Sequence, residues 1–258
     1  FIKMEQYEVH FGEAGTSQKL HKNTRGLTFL NYFLLLKNVC LSEITTFYSF
    51  YLLMLSFLLI IPEVSTYSPF WILIPLIIIV LLEYFVQAIE LKRAQNAIST
   101  DENQKFYITR EGNVMNEMSK NIKAGDMIEF DLEEGDEMVA PCDCLILKSD
   151  ENNIFVNTSK LDGEWDAKSK SPLQGLPENL TYEIIKRTKG YTLSNSIKDT
   201  STDITGEINF YADDIFQGTY EPIRFDKDNF IERGSVIQTQ GKYLLLAIYT
   251  GKDCRSDS

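Results

Sequence analysis

The chain has 258 residues, 44% of them apolar and 24% charged, which suits one or two folded units. Its formal net charge is −12, with 37 acidic against 25 basic side chains. That balance excludes the basic stripe of a nucleic-acid binder and attachment to anionic lipid by charge alone. The four cysteines include one close pair, Cys142 and Cys144, with no second pair to complete a metal site, so they read as reduced thiols on a strand.

Residues 1 to 26 are polar and read as a tail with little structure of its own. Two uncharged apolar runs follow, Thr46–Ile61 and Trp71–Leu82, separated by a breaker-rich stretch from Pro62 to Pro69. Each run is short of the ~20 residues that span a bilayer, and flanking residues extend them to about 41–61 and 70–90. Lys22, Arg25 and Lys37 precede the pair, Lys92 and Arg93 follow it, and the loop between has no basic residue. By the positive-inside rule both ends face the cytoplasm. Tyr67, Phe70 and Trp71 suit an interfacial belt.

Beyond Thr100 the periodicity changes to that of short strands. Candidate strands are Lys105–Arg110, Met127–Leu132, Leu145–Leu147, Ile154–Val156, Gly206–Tyr211 and Lys242–Tyr249, the last with the character of a fully buried strand. Residues 166–203 read as a polar insertion with one short helix around Tyr182–Arg187. The acidic run from Glu129 to Glu137 lacks the ligand spacing of a calcium loop and reads as a solvated face.

The segment that carries chemistry is Leu161-Asp162-Gly163-Glu164-Trp165. An Asp-Gly-Glu sequence alone is a surface turn, in which glycine permits a tight backbone and the acids favour solvent. Its setting adds to that. Asn157-Thr158-Ser159-Lys160-Leu161-Asp162-Gly163-Glu164, preceded by Pro141-Cys142-Asp143 and followed by Lys168, Arg233-Gly234 and Tyr249-Thr250-Gly251, stands in collinear order with Asn23, Ile61-Pro62-Glu63-Val64-Ser65 and Lys92-Arg93. In that order the sequence resembles the amino-terminal part of the P4-type ATPases, the phospholipid flippases, over most of its length.

The resemblance implies an α+β membrane protein fragment. It would consist of a cytoplasmic segment (1–40), a transmembrane helical hairpin (41–98) and a small β-rich actuator domain with a distorted jelly-roll (99–258). It implies that Asp162, Gly163 and Glu164 form the catalytic loop, which assists hydrolysis of an aspartyl phosphate elsewhere in the protein. ATP and Mg2+ are implied for the full-length protein, with neither bound by this segment. The implied partners are a membrane phospholipid, the phosphorylation domain of the same longer chain and an accessory membrane subunit. The implied location is a multi-pass membrane protein whose amino-terminal segment and actuator domain are cytoplasmic. Neither D-K-T-G nor G-D-G-x-N-D occurs here, so the chain is expected to be a piece of something longer and unable to hydrolyse ATP by itself. Trp165 and Asp166 replace the family's usual Thr and Asn, and Cys142 replaces an Ala. These departures leave open a degenerate regulatory module of a larger membrane protein, such as a protist guanylyl cyclase; a further alternative is an unrelated membrane-anchored β domain that binds a partner.

Overall fold

The computed structural model describes residues 6–12, 23, 37, 50–51, 54–55, 57, 70–176, 180–195, 204–211 and 221–255. Its elements in chain order are strand β1 (Gln6–Phe11), helix α1 (Phe70–Asn103), β2 (Lys105–Arg110), β3 (Asn113–Met118), β4 (Met127–Leu132), β5 (Met138–Val139), β6 (Asp143–Ser149) and β7 (Ile154–Asn157). There follow the one-turn helix α2 (Ser159–Asp162), β8 (Lys168–Lys170), α3 (Tyr182–Arg187), β9 (Gly190–Asn195), β10 (Thr205–Phe210), β11 (Ile223–Asp226), β12 (Phe230–Ile231), β13 (Val236–Ile237) and β14 (Gly241–Tyr249). The chain divides into two units, one of residues 1–25 with 100–258 and the other of residues 26–99.

Among the described residues the first unit has three antiparallel sheets, ordered β1-β9-β10-β11, β12-β6-β14-β4-β2-β3 and β5-β13-β7-β8. Strand β14 is central, paired to β4 on one side and β6 on the other. Successive side chains of a strand point to opposite faces. Tyr243, Leu245 and Ala247 therefore join a core with Ile128, Ile146, Ile154, Val156 and Ile237. Leu244, Leu246 and Ile248 join a second core with Phe11, Leu145, Ile185, Ile208 and Phe225. Burial on both faces explains why Tyr243–Tyr249 of β14 is an unbroken apolar run.

Three expectations need correction. The transmembrane hairpin is not found: among the described residues no helix is long and apolar enough to cross a membrane. Helix α1 has 34 residues. However, its uncharged run Trp71–Leu82 rises only about 18 Å before Glu83, against the ~30 Å of a hydrocarbon core, and Glu90, Lys92 and Arg93 follow. The fold class of a transmembrane hairpin joined to a small β domain is therefore overturned. The described fold is mostly β-sheet. Of the first expected helix, 41–61, only Phe50, Tyr51, Met54, Leu55 and Phe57 are described, and the rest lies outside the described residues.

The second correction concerns the amino-terminal tail. Gln6–Phe11 forms β1, paired in register with β9 from Gln6↔Asn195 to Phe11↔Gly190. Its apolar positions Val9 and Phe11 enter the second core. The third concerns residues 166–203, which contribute β8 and β9 to two different sheets. Their polar composition reflects edge and half-buried positions, since β9 alternates buried and half-buried residues.

Candidate functional site

The Asp162-Gly163-Glu164 segment follows β7, and local hydrogen bonds set its shape. The Asn157 Oδ1 accepts from the Ser159 backbone N–H at 2.8 Å, an Asx turn that redirects the chain out of the strand. Leu161 and Asp162 donate backbone N–H bonds to the Thr158 carbonyl, and Gly163 donates to that of Ser159. This closes the single turn of α2. Gly163 has φ 76° and ψ 1°, the left-handed conformation that commonly ends a helix. No atom lies within 4 Å of where a Cβ would sit on it, so the backbone conformation, not crowding, requires glycine there.

Asp162 is the hub of the loop. Its Oδ1 accepts the Glu164 backbone N–H at 2.9 Å. Its Oδ2 accepts the Thr158 hydroxyl at 2.8 Å and the Lys168 ammonium at 2.5 Å. The Lys168 bond, the Glu164 N–H and the Thr158 hydroxyl hold the Asp162 carboxyl down at about 2. The same contact with Asp162 raises Lys168. Asp162 is thus a fixed anion that shapes the turn, and its oxygens are committed to three donors.

Glu164 is held differently. Its side chain is 67% exposed, and Lys168 Nζ lies 3.5 Å from Oε2. Strand pairing sets that cation in place, because Lys168 on β8 is opposite Val156 on β7. Beside Glu164, the Trp165 ring is 86% exposed. Asp162, Gly163 and Glu164 are consecutive in the chain, and Thr158 and Lys168, both within the sequence pattern quoted above, are the side chains that bond to Asp162. The Thr158–Asp162 spacing of four, that of one helical turn, was a readable signal for the first. The β7–β8 register that delivers Lys168 was not.

Among the described residues no three His, Cys, Asp or Glu side chains gather to hold a metal ion. Cys142 and Cys144 are buried with their sulfurs 3.4 Å apart, and burial pushes the Cys142 thiol well up. Both are packing residues of the first core.

The loop thus presents an exposed carboxylate, Glu164, on a glycine turn with the Lys168 ammonium alongside. Phospholipid-transporting ATPases are among the chain's relatives. Phospholipid-transporting ATPase FetA of Mus musculus is 25% identical over 210 residues, 80% of this chain and 17% of that protein. Phospholipid-transporting ATPase IC of Mus musculus is 26% identical over 210 residues, again 80% of this chain and 16% of that protein. The human probable phospholipid-transporting ATPase IM is 29% identical over 125 residues, 48% of this chain and 10% of that protein. The chain thus spans about a sixth of the length of the first two relatives. No protein-family model matches it.

Proposed function

We propose that this chain is the actuator-bearing part of a longer phospholipid-transporting ATPase, in which Glu164 assists hydrolysis of an aspartyl phosphate formed on another part of the protein. The observation that carries the reading is the exposed Glu164 on the Gly163 turn, presented by an Asp162 anchored to three donors. In the step itself, water attacks phosphorus and a new oxygen–phosphorus bond forms. The bond from phosphorus to the aspartyl oxygen breaks, releasing carboxylate and inorganic phosphate. Glu164 accepts the proton that the attacking water gives up. Lys168, within reach of Glu164, offers charge to the phosphoryl oxygens. Asp162 and Gly163 shape the turn and take no proton.

The longer protein would act at a membrane on a phospholipid, with the loop-bearing unit and the amino-terminal segment on the cytoplasmic side, where ATP is available. ATP and Mg2+ would serve its phosphorylation site, and an accessory subunit would be a further partner. The test is ATP turnover by the longer protein with phospholipid vesicles. Turnover that is stimulated by one phospholipid headgroup, inhibited by vanadate and lost in Glu164→Gln supports the reading.

A second reading rests on Trp165, whose indole stands fully out beside Glu164, and on the neighbouring negative charge of Asp166. A bulky indole and an added negative charge next to Glu164 would hinder the approach of a phosphate. On that reading the loop is a degenerate regulatory module. Absence of vanadate-sensitive turnover in the longer protein, restored by Trp165→Thr with Asp166→Asn, would favour it.

A further inference from the structure

Asp143 is wholly buried at the start of β6, and both of its oxygens are used. Its Oδ1 accepts the Arg233 backbone N–H at 2.7 Å, and its Oδ2 accepts the Arg255 backbone N–H at 2.8 Å. One carboxylate thereby ties the segment after β14 to the turn between β12 and β13. That turn, Arg233-Gly234-Ser235, is also laced to the segment after β5. Gly234 donates to the Ala140 carbonyl, and Ala140 donates to that of Ser235.

The turn reaches the candidate loop by two routes. Gly234 has φ +86°, and a Cβ placed on it would sit 3.5 Å from Leu161 Cδ2, so its bare backbone lies against the side chain of the residue before Asp162. Ser235 then leads into β13, whose Val236 pairs with Asn157 of β7, the residue whose side chain starts the loop turn. The same corner receives a second buried clamp. Asn23 donates to the carbonyls of Ser119 and Pro141 and accepts from the Gly251 N–H. It stands two residues before Arg25, where the chain passes into the other unit.

We propose that Asp143 is a positioning residue for the Asp162–Glu164 loop, joining it through Arg233-Gly234 to the backbone at Arg255. The proposal rests on the loop's proposed role for its purpose, but its evidence is mechanical. Movement of the chain at Arg255 is transmitted to the loop because the Arg233-Gly234 turn is bonded to one and packed against the other. Asp143 touches no reacting atom, so it acts only through this turn.

Hydrogen exchange of the full chain tests this without any catalytic readout, so failure here is separate from failure of the proposed activity. In Asp143→Asn, which replaces one of the two acceptor oxygens by an amide NH2, exchange at Arg233 and Arg255 should rise about tenfold, and exchange at Leu161, Asp162 and Gly163 should rise with it. Amides of β2 and β3 should be unchanged. Faster exchange at Arg233 and Arg255 with an unchanged loop would overturn the proposal. If the variant loses protection everywhere, the wild-type chain decides. In denaturant-dependent native-state exchange, the amides of Arg233, Arg255, Leu161, Asp162 and Gly163 should share one opening free energy and one denaturant slope. Separate values for the loop and the turn would overturn it.

Discussion

Gly163 and Asp143 show what single residues contribute. Because Gly163 holds φ 76° in open space, Gly163→Ala meets only the backbone penalty of the left-handed region, about 1–2 kcal/mol. Urea unfolding should register that loss, and an unchanged midpoint would show that the turn relaxes. Burial pushes the Asp143 carboxyl up to about 7, opposed by the N–H groups of Arg233 and Arg255. The folded chain then keeps a proton that the unfolded chain has released. The group's stabilisation is full below the ordinary carboxylate range and is lost as pH rises through about 7. Guanidinium unfolding of wild type and Asp143→Asn, compared at about pH 5 and about pH 8, should show the wild type losing ground relative to the variant at the higher pH. At this scale the sequence was informative about Asp162, Gly163 and Glu164, because an acid–glycine–acid turn is a local property. It was silent on Gly234 lying under Leu161, which depends on a contact between residues far apart in the chain.

Elements were legible where their signal was periodic and self-contained. The strand Met127–Leu132 alternates apolar and acidic residues and is β4, and helix α3 spans Tyr182–Arg187 as its composition suggests. Strand β1 was missed although Val9 and Phe11 alternate, since one short strand among polar residues has no meaning until β9 is placed beside it. Helix α1 exposes the opposite weakness. Aliphatic density around Ile77 and Leu82 suggests a bilayer, but the charge at Glu83 interrupts the run before it reaches the needed length. Two substitutions test the elements. Phe11, 1% exposed in the second core, should cost about 3–5 kcal/mol when changed to Ala; no loss in urea unfolding would show that β1 is dispensable. Asn23→Ala removes a buried side chain bonded to Ser119, Pro141 and Gly251, and should cost about 2–4 kcal/mol.

At the scale of the first unit, the described strands form three sheets, and the Asp162–Glu164 loop lies between β7 and β8 of one of them. Residues that act by geometry gain from that arrangement, because strand pairing places Lys168 opposite Val156 and Val236 opposite Asn157. The likeness to phospholipid-transporting ATPases covers most of this chain but a small part of those proteins, and on the proposed function the loop's partner group lies in a longer protein. The measurement that bears most directly on the account is single-turnover decay of the phosphorylated longer protein after excess unlabelled ATP is added. Glu164→Gln should form phosphoenzyme normally and lose it about 100-fold more slowly, the usual scale of a general base. Decay at the wild-type rate would show that Glu164 takes no part in the hydrolysis.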